Sequence, residues 1–187
     1  MPEELELATG LLGALHFAAH KHRLQRRKDP GEPAYINHPI QVAEVISRVG
    51  GVSDLATLQA AILHDTVEDT ETTFDDLEEL FGREVADLVM EVSDDKGLPK
   101  EERKQLQIEH APELSPKAKH IKIADKISNI THVAYSPPEG WSKERRTEYL
   151  DWSVRVVDGC RGTNEALEAH FDESVLECRG VLGAVDG

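Results

Sequence analysis

The stretch AAILHDTVEDT, residues 60–70, joins an apolar run to four ionisable side chains. Upstream of it, apolar residues recur at offsets of three and four, which is the spacing of one face of an α-helix. We therefore predict a helix that opens at Ser53 or Asp54 and continues through the stretch. Its buried stripe comprises Leu55, Leu58, Ala61 and Ile62.

The ionisable side chains of this stretch are His64, Asp65, Glu68 and Asp69. On a continuous helix, His64 neighbours Glu68, and Asp65 neighbours both Glu68 and Asp69. Three clustered carboxylates repel one another and have raised pKa values unless a cation compensates them. The pattern thus predicts a metal ion. Helix capping and surface charge are the alternative that these four residues alone leave open.

Helical spacing and capping signals extend over almost the whole chain of 187 residues, and no stretch shows sustained strand alternation. The length is that of one ordinary domain. We predict an all-α fold whose core covers about residues 4–178, with a frayed tail at 180–187. Besides the helix above, we expect four helices in the first part of the chain: residues 4–27, Pro39 to Gly50-Gly51, Thr73 to Gly82 with a capping box to Asp76, and one around Val85–Val92. We expect four more after them: residues 100–111, one that begins at Ser115-Pro116, Ser142 to about Arg161, and Thr163 to about Cys178.

The charge balance limits the possible partners. The chain has 36 acidic and 21 basic residues, a formal net charge of −15. Such a balance argues against a nonspecific nucleic-acid or membrane binder, because phosphate would repel it.

No apolar run approaches the ~20 residues that a membrane span needs, and no secretory signal is apparent. Cys160 and Cys178 form no disulfide framework and match no zinc spacing, so a cytoplasmic location is expected.

One segment departs from the acidic balance. Five basic residues lie within positions 21–28, namely Lys21, Arg23, Arg26, Arg27 and Lys28. A local basic cluster on an acidic protein could bind a small polyanion. A solvated helix face is the alternative, and the cluster alone does not decide between them.

Two further residues are candidate metal ligands. His38 precedes Pro39 at the start of a predicted helix, where a lone histidine more often caps or packs. Asp125 lies next to a buried stripe, where an unpaired carboxylate is costly. Combined with His64 and Asp65, they form a set of two imidazoles and two carboxylates. This set suits Mn²⁺, Fe²⁺ or similar ions with open water positions, and it is a poor match to structural zinc.

The order of several motifs resembles a known family. They are Arg26-Arg27-Lys28, Tyr35-Ile36-Asn37-His38-Pro39, residues 64–70, Asp94-Asp95-Lys96, and Ala124-Asp125-Lys126 with Asn129. The chain resembles HD-domain metal phosphohydrolases, in particular the hydrolase domain of RelA/SpoT-type alarmone enzymes and their small stand-alone metazoan-type SpoT homologues. The resemblance covers about residues 8–170. It implies that residues 1–187 form a single HD hydrolase domain, with about eight to ten helices around a metal site.

The resemblance also implies an activity and the residues that perform it. The activity is Mn²⁺-dependent hydrolysis of the 3′-pyrophosphate of guanosine 3′,5′-bis(diphosphate) (ppGpp) or its pentaphosphate form (pppGpp), giving GDP or GTP and pyrophosphate. One Mn²⁺ ion would be held by His38, His64, Asp65 and Asp125, and Glu68 and Asp69 would be catalytic. Substrate contacts would come from Arg27, Lys28, Lys100, Asn129, Arg145 and Tyr149. Relatives commonly have an arginine where this chain has Thr131, which affects the expected substrate contacts.

Three other functions remain open at this point. The same site could remove phosphate from another nucleotide, including the 2′-phosphate of NADPH. A non-catalytic alarmone sensor would bind without turnover, and a purely structural helical protein would do neither. The substrate partner in the leading hypothesis is a small nucleotide, with no nucleic acid and no membrane involved. The sequence predicts no oligomeric state.

Overall fold

The computed structural model describes residues 3–184, and these residues form helices joined by short loops. In chain order the helices are α1 (Glu3–Lys21), α2 (Asn37–Arg48), α3 (Leu55–Leu63), α4 (Thr66–Asp69), α5 (Phe74–Phe81), α6 (Arg83–Val92), α7 (Lys100–His110), a one-turn 3-10 helix (Ala111–Glu113), α8 (Pro116–Tyr135), α9 (Lys143–Asp158) and α10 (Glu165–Ala184). Among the described residues, the only β-type pairing is an isolated bridge between Arg26 and Ala34. The all-α prediction is confirmed.

The helix α8 lies at the centre of the fold and packs against α2, α3, α6, α9 and α10. Its predicted buried positions are all in the core: Ala118, Ile121, Ala124 and Ile127. Phe171 and Leu167 of α10 are fully buried. Because Asp125 belongs to this central helix, its carboxylate is attached to a closely packed part of the protein.

Side-chain caps begin three helices where the sequence predicts them. Thr73 and Asp76 form a reciprocal capping box at α5. Ser115 Oγ accepts the Ala118 N–H at 3.3 Å, and Ser142 Oγ accepts the Arg145 N–H at 3.3 Å. These bonds satisfy backbone donors that have no partner within the helix.

The first helix is shorter than predicted. It ends at Lys21, and residues 22–27 do not continue it. The turn at Asp29-Pro30-Gly31 folds the chain back, so that the Arg27 N–H donates to Pro33 O at 3.0 Å and the Tyr35 N–H donates to Gln25 O at 3.1 Å. Backbone pairing across this turn therefore replaces the helical hydrogen bonds and places the basic segment on a loop.

The predicted third helix is interrupted at His64 and Asp65. Thr66 Oγ1 donates to Leu63 O at 2.7 Å, and His64 Nδ1 lies 2.7 Å from Ala61 O. These carbonyls would accept backbone N–H groups in a continuing helix, so the side chains compete with it. The prediction that all four ionisable residues share one face of one helix is therefore wrong.

The two last helices have different ends from those predicted. The helix α9 ends at Asp158. The next residue, Gly159, lies close to Ala111, and a Cβ added to this glycine would lie 2.7 Å from the Ala111 Cβ. The helix α10 continues beyond Cys178 because its apolar face extends to the buried Leu182. Residues 180–184 are thus helical rather than frayed, and residues 185–187 lie outside the described part.

Between residues 3 and 184, no helix has the combination of length and apolar character that crossing a membrane requires.

Candidate active site

The four predicted metal ligands come together from three parts of the fold. His38 belongs to the first turn of α2, His64 and Asp65 to the turn between α3 and α4, and Asp125 to α8. The separations are 3.1 Å for His38 Nε2 to Asp125 Oδ1, 3.7 Å for His38 Nε2 to Asp65 Oδ2, 3.2 Å for His64 Nε2 to Asp65 Oδ2, and 3.8 Å for His64 Nε2 to Asp125 Oδ1. One donor atom each of His38, His64 and Asp65 therefore faces a common point, and Asp125 Oδ1 lies beside both imidazoles.

Both imidazoles are oriented through the nitrogen that faces away from this point. His64 Nδ1 contacts Ala61 O, while its Nε2 is buried and has no hydrogen-bond partner. His38 Nδ1 lies 3.0 Å from Ser128 Oγ, whose hydroxyl donates to Gln41 Oε1. Because buried polar atoms are nearly always paired, a buried Nε2 atom that makes no hydrogen bond and faces two carboxylates fits a metal ligand. The donor set therefore fits a divalent cation.

Neighbouring donors keep the Asp125 carboxylate ionised. Lys126 Nζ donates to Asp125 Oδ2 at 2.9 Å, and Asn129 Nδ2 donates to Asp125 Oδ1 at 2.6 Å. Burial alone would raise the pKa of Asp125, but the Lys126 ammonium and the two imidazoles hold this pKa well below its usual range. The ionised form is the one that binds a cation.

The second carboxylate of the cluster is held by a tyrosine. The Tyr35 hydroxyl donates to Asp65 Oδ2 at 2.6 Å. Burial would raise the pKa of Asp65, but the adjacent imidazoles of His64 and His38 hold it well below its usual range. Tyr35 thus fixes the orientation of an ionised carboxylate. Its sequence separation of 30 residues from Asp65 explains why the sequence did not indicate this contact.

We expect Tyr35→Phe to weaken Mn²⁺ affinity by about 10- to 100-fold, the usual effect of losing a partner that orients a metal ligand. The phenyl ring keeps the packing against His22 and removes only the hydroxyl contact. Titration of metal-free protein with Mn²⁺ measures the affinity. Tyr135→Phe is the matched control, because Tyr135 is exposed at 59%. Equal affinity for the Tyr35→Phe and Tyr135→Phe proteins would contradict this role.

The acidic pair Glu68 and Asp69 lies beside the cluster on α4. Glu68 Oε1 accepts the Asp94 N–H at 2.7 Å, and Asp69 Oδ2 accepts from Gln25 Nε2 at 2.8 Å. Burial raises the pKa of Glu68, and the charges of Asp65 and Asp94 add to this increase. A carboxylate with a raised pKa is a better general base near neutral pH.

A cavity of about 320 Å³ opens next to the acidic pair. Four of the predicted substrate residues line it: Arg27, Lys28, Asn129 and Tyr149. Arg27 Nη2 donates to Asn129 Oδ1 at 3.2 Å, and the same asparagine contacts Asp125. The basic loop is therefore connected to the metal-ligand cluster through one amide.

The other two predicted substrate residues contact the wall of the cavity. Arg145 Cζ lies 4.3 Å and Lys100 Nζ 6.0 Å from the ring centroid of Trp141, which lines the cavity. Trp141 also packs edge-on against Tyr149 at 5.8 Å. Sequence reasoning missed Trp141, because a tryptophan in a turn carries no motif. Burial lowers the pKa of Lys100, and nearby cations, including Arg145, lower it further.

Comparison with known proteins identifies the family. The HD domain pattern matches residues 14–151, most of the chain. The chain belongs to the HD-domain family. This HD-domain protein is 54% identical over 167 residues to the guanosine-3′,5′-bis(diphosphate) 3′-pyrophosphohydrolase MESH1 of Xenopus tropicalis, covering 89% of this chain and 93% of the relative. It is 55% identical over 161 residues to MESH1 of Homo sapiens, covering 86% and 90%.

A solved structure extends the likeness to the fold. It belongs to a metazoan orthologue of SpoT that hydrolyses ppGpp and plays a role in starvation responses. The two structures agree with a TM-score of 0.88 at 49% identity, covering 92% of this HD-domain protein and 96% of the other chain. The predicted family is confirmed. The family implies a divalent metal ion, and His38, His64 and Asp65 form the group of potential ligands in this chain.

Proposed function

We propose that this protein hydrolyses the 3′-pyrophosphate of ppGpp and pppGpp, giving GDP or GTP and pyrophosphate. The observation that carries the proposal is an imidazole–carboxylate cluster whose hydrogen-bond partners Tyr35 and Asn129 line a cavity together with cations and aromatic rings. The printed activities of the MESH1 relatives support the choice of substrate. One Mn²⁺ ion held by His38, His64, Asp65 and Asp125 is part of the proposal.

The residues of the site have different roles in this reaction. A divalent ion held by His38, His64, Asp65 and Asp125 would polarise a phosphoryl oxygen and would make a nearby water more acidic. Glu68 accepts a proton from the attacking water, with Asp69 assisting. The water oxygen bonds to phosphorus and leaves with pyrophosphate, while the bond between phosphorus and the 3′ oxygen breaks. The 3′ oxygen takes a proton from solvent to become a hydroxyl, and Glu68 returns its proton to solvent. Arg27 and Lys28 contact the guanine base and the nearby phosphate, whose charge they neutralise.

Nucleoside recognition is assigned to residues that include Asn129, whose Oδ1 accepts from Arg27 Nη2 at 3.2 Å. Asn129 and Tyr149 contact the nucleoside, while Lys100 and Arg145 attract phosphate next to Trp141. Aromatic stacking accepts any base because every base has a π-face.

Product identification tests the proposal. The protein is incubated with ppGpp and Mn²⁺, and the products are resolved by ion-exchange chromatography. We expect GDP and pyrophosphate in equal amounts. The absence of both would overturn the assignment, and ppGpp binding without turnover would support a sensor instead.

NADPH 2′-phosphatase activity is the second candidate, because stacking and positive charge do not separate guanine from adenine. A malachite-green assay distinguishes the reactions, since NADPH would release orthophosphate and ppGpp would release pyrophosphate. Orthophosphate from NADPH, with no products from ppGpp, would make NADPH the substrate. Products from ppGpp alone would exclude this second candidate.

Arg27→Ala should raise KM by about 5- to 150-fold, which corresponds to the ~1–3 kcal/mol of a lost charge-assisted contact. Turnover should change much less, because Arg27 belongs to the cavity and does not contact the acidic pair. Steady-state kinetics with ppGpp measures both constants. Arg23→Ala is the control from the same basic segment, since Arg23 is exposed and its guanidinium donates to His20 O. An unchanged KM in Arg27→Ala would contradict the binding role and would indicate that the basic segment is only a solvated surface.

We also propose that residues 1–187 act as one domain in the cytoplasm. Cys160 and Cys178 are both free and buried, which suits a reducing compartment.

A further inference from the structure

Lys96 contacts both members of the acidic pair. Its Nζ lies 2.9 Å from Asp69 Oδ1 and 3.2 Å from Glu68 Oε2. With the Asp94 N–H on Glu68 and the Gln25 amide on Asp69, all four carboxylate oxygens of the pair have a partner. Lys96 is the partner that joins the two carboxylates to each other.

The segment that carries Lys96 is held in place on both sides. Asp95 Oδ1 accepts the Gly97 N–H at 2.8 Å, which closes a tight turn around Lys96. Asp94 Oδ2 accepts from Gln107 of α7 at 2.6 Å, and the buried Lys122 of α8 donates to Val92 O at 2.8 Å. The segment thus holds the Asp94 N–H and the Lys96 ammonium in fixed positions against the acidic pair.

Lys96 also faces the cavity. Its side chain is 46% exposed, whereas that of Glu68 is 14% exposed. Both Lys96 and Asp69 line the cavity that Arg27 and Lys28 line. A polyanionic substrate in this cavity approaches two carboxylates, and their repulsion would oppose binding. The Lys96 ammonium contacts both carboxylates and also lines the cavity, so it reduces this repulsion.

We propose that Lys96 is a positioning residue, which holds Glu68 and Asp69 in a single arrangement and screens both carboxylates from the phosphates of the substrate. The proposal rests on the proposed function and assigns a task to a residue outside the metal-ligand, acidic and substrate sets. Lys96 acts through Glu68, so its effect on turnover depends on Glu68.

Lys96→Met should lower kcat by about 10- to 100-fold, the range that a lost charge-assisted hydrogen bond supports, and should also raise KM. Lys96→Arg keeps the charge and should recover most of both constants. Lys117→Met is the matched control, because Lys117 likewise joins two carboxylates, Asp54 at 2.9 Å and Glu84 at 2.6 Å, away from the cavity. Its kinetics should match those of the unaltered protein.

A double-mutant cycle separates positioning from a general structural effect. Single-turnover rates are measured for Lys96→Met, Glu68→Gln and the double variant, with Mn²⁺ affinity and thermal unfolding recorded for each. If Lys96 acts through Glu68, the double variant should be within about threefold of Glu68→Gln alone, since strongly coupled residues are not additive. Rates that fall by the product of the two single effects would overturn the proposal.

The same experiment distinguishes this proposal from the proposed function. An unaltered protein that releases no product from ppGpp would contradict the function itself. An active unaltered protein, together with a Lys96→Met variant whose kcat and KM are unchanged, would contradict only the positioning role.

Discussion

Replacing Glu68 with glutamine should lower turnover by about 10²- to 10⁴-fold, which is the contribution typical of a general base. Glutamine has nearly the same shape and an equally good helix propensity, so folding gives no reason for a loss. Its amide cannot accept the proton from the attacking water. Single-turnover kinetics at saturating Mn²⁺ measures the effect, and atomic spectroscopy measures the metal content, which should stay unchanged.

Two further variants define what the Glu68→Gln result means. Asp69→Asn should also be impaired, because Asp69 shares the Lys96 contact with Glu68. Glu79→Gln on the exposed surface of α5 should be fully active. Near-normal turnover in both Glu68→Gln and Asp69→Asn would remove the acidic pair from the mechanism. Loss of metal from Glu68→Gln would instead make Glu68 a ligand.

Asp65→Ala should lose both the metal and the activity. The carboxylate lies within 3.7 Å of both imidazole Nε2 atoms, so its removal takes away a donor that faces the common point of the cluster. It also leaves the Tyr35 hydroxyl without its acceptor. We expect turnover at least about 10²-fold lower, a loss comparable to that of removing a catalytic group.

The measurement for Asp65→Ala is metal content after dialysis, together with turnover of ppGpp and a thermal unfolding curve. Asp75→Ala, an exposed aspartate in the first turn of α5, is the control for losing one negative charge. A folded Asp65→Ala protein that retains a full equivalent of metal would contradict the assignment of Asp65 as a ligand.

Local sequence signals predicted the helices where capping chemistry and apolar spacing agreed. The capping box at Thr73 and the Ser115-Pro116 start of α8 are examples, since both depend on residues within one turn. The break at His64 and Asp65 was not predictable in this way. Apolar spacing continues across it, and the side-chain bonds that compete with the helix become visible only in the structure.

In the candidate site, too, local sequence patterns did not predict which residues contact one another. The residue types of His38, His64, Asp65 and Asp125 predicted a set of cation ligands, which the family resemblance supported. Local spacing could not show that His38 and Asp125 lie next to the other two. Lys96 is 27 residues from Asp69, and its motif gave no indication of which carboxylate it contacts. Contacts of this kind depend on how loops pack, which local patterns do not encode.

The proposed function requires one metal ion at the imidazole–carboxylate cluster, where it supports hydrolysis of ppGpp. Its most direct test is the turnover of ppGpp by chelated protein as Mn²⁺ is added back, with the products identified at each step. We predict no turnover without metal, a rise that ends at one equivalent of Mn²⁺ per chain, and GDP and pyrophosphate as products. Hydrolysis at the full rate by the chelated protein would contradict the account.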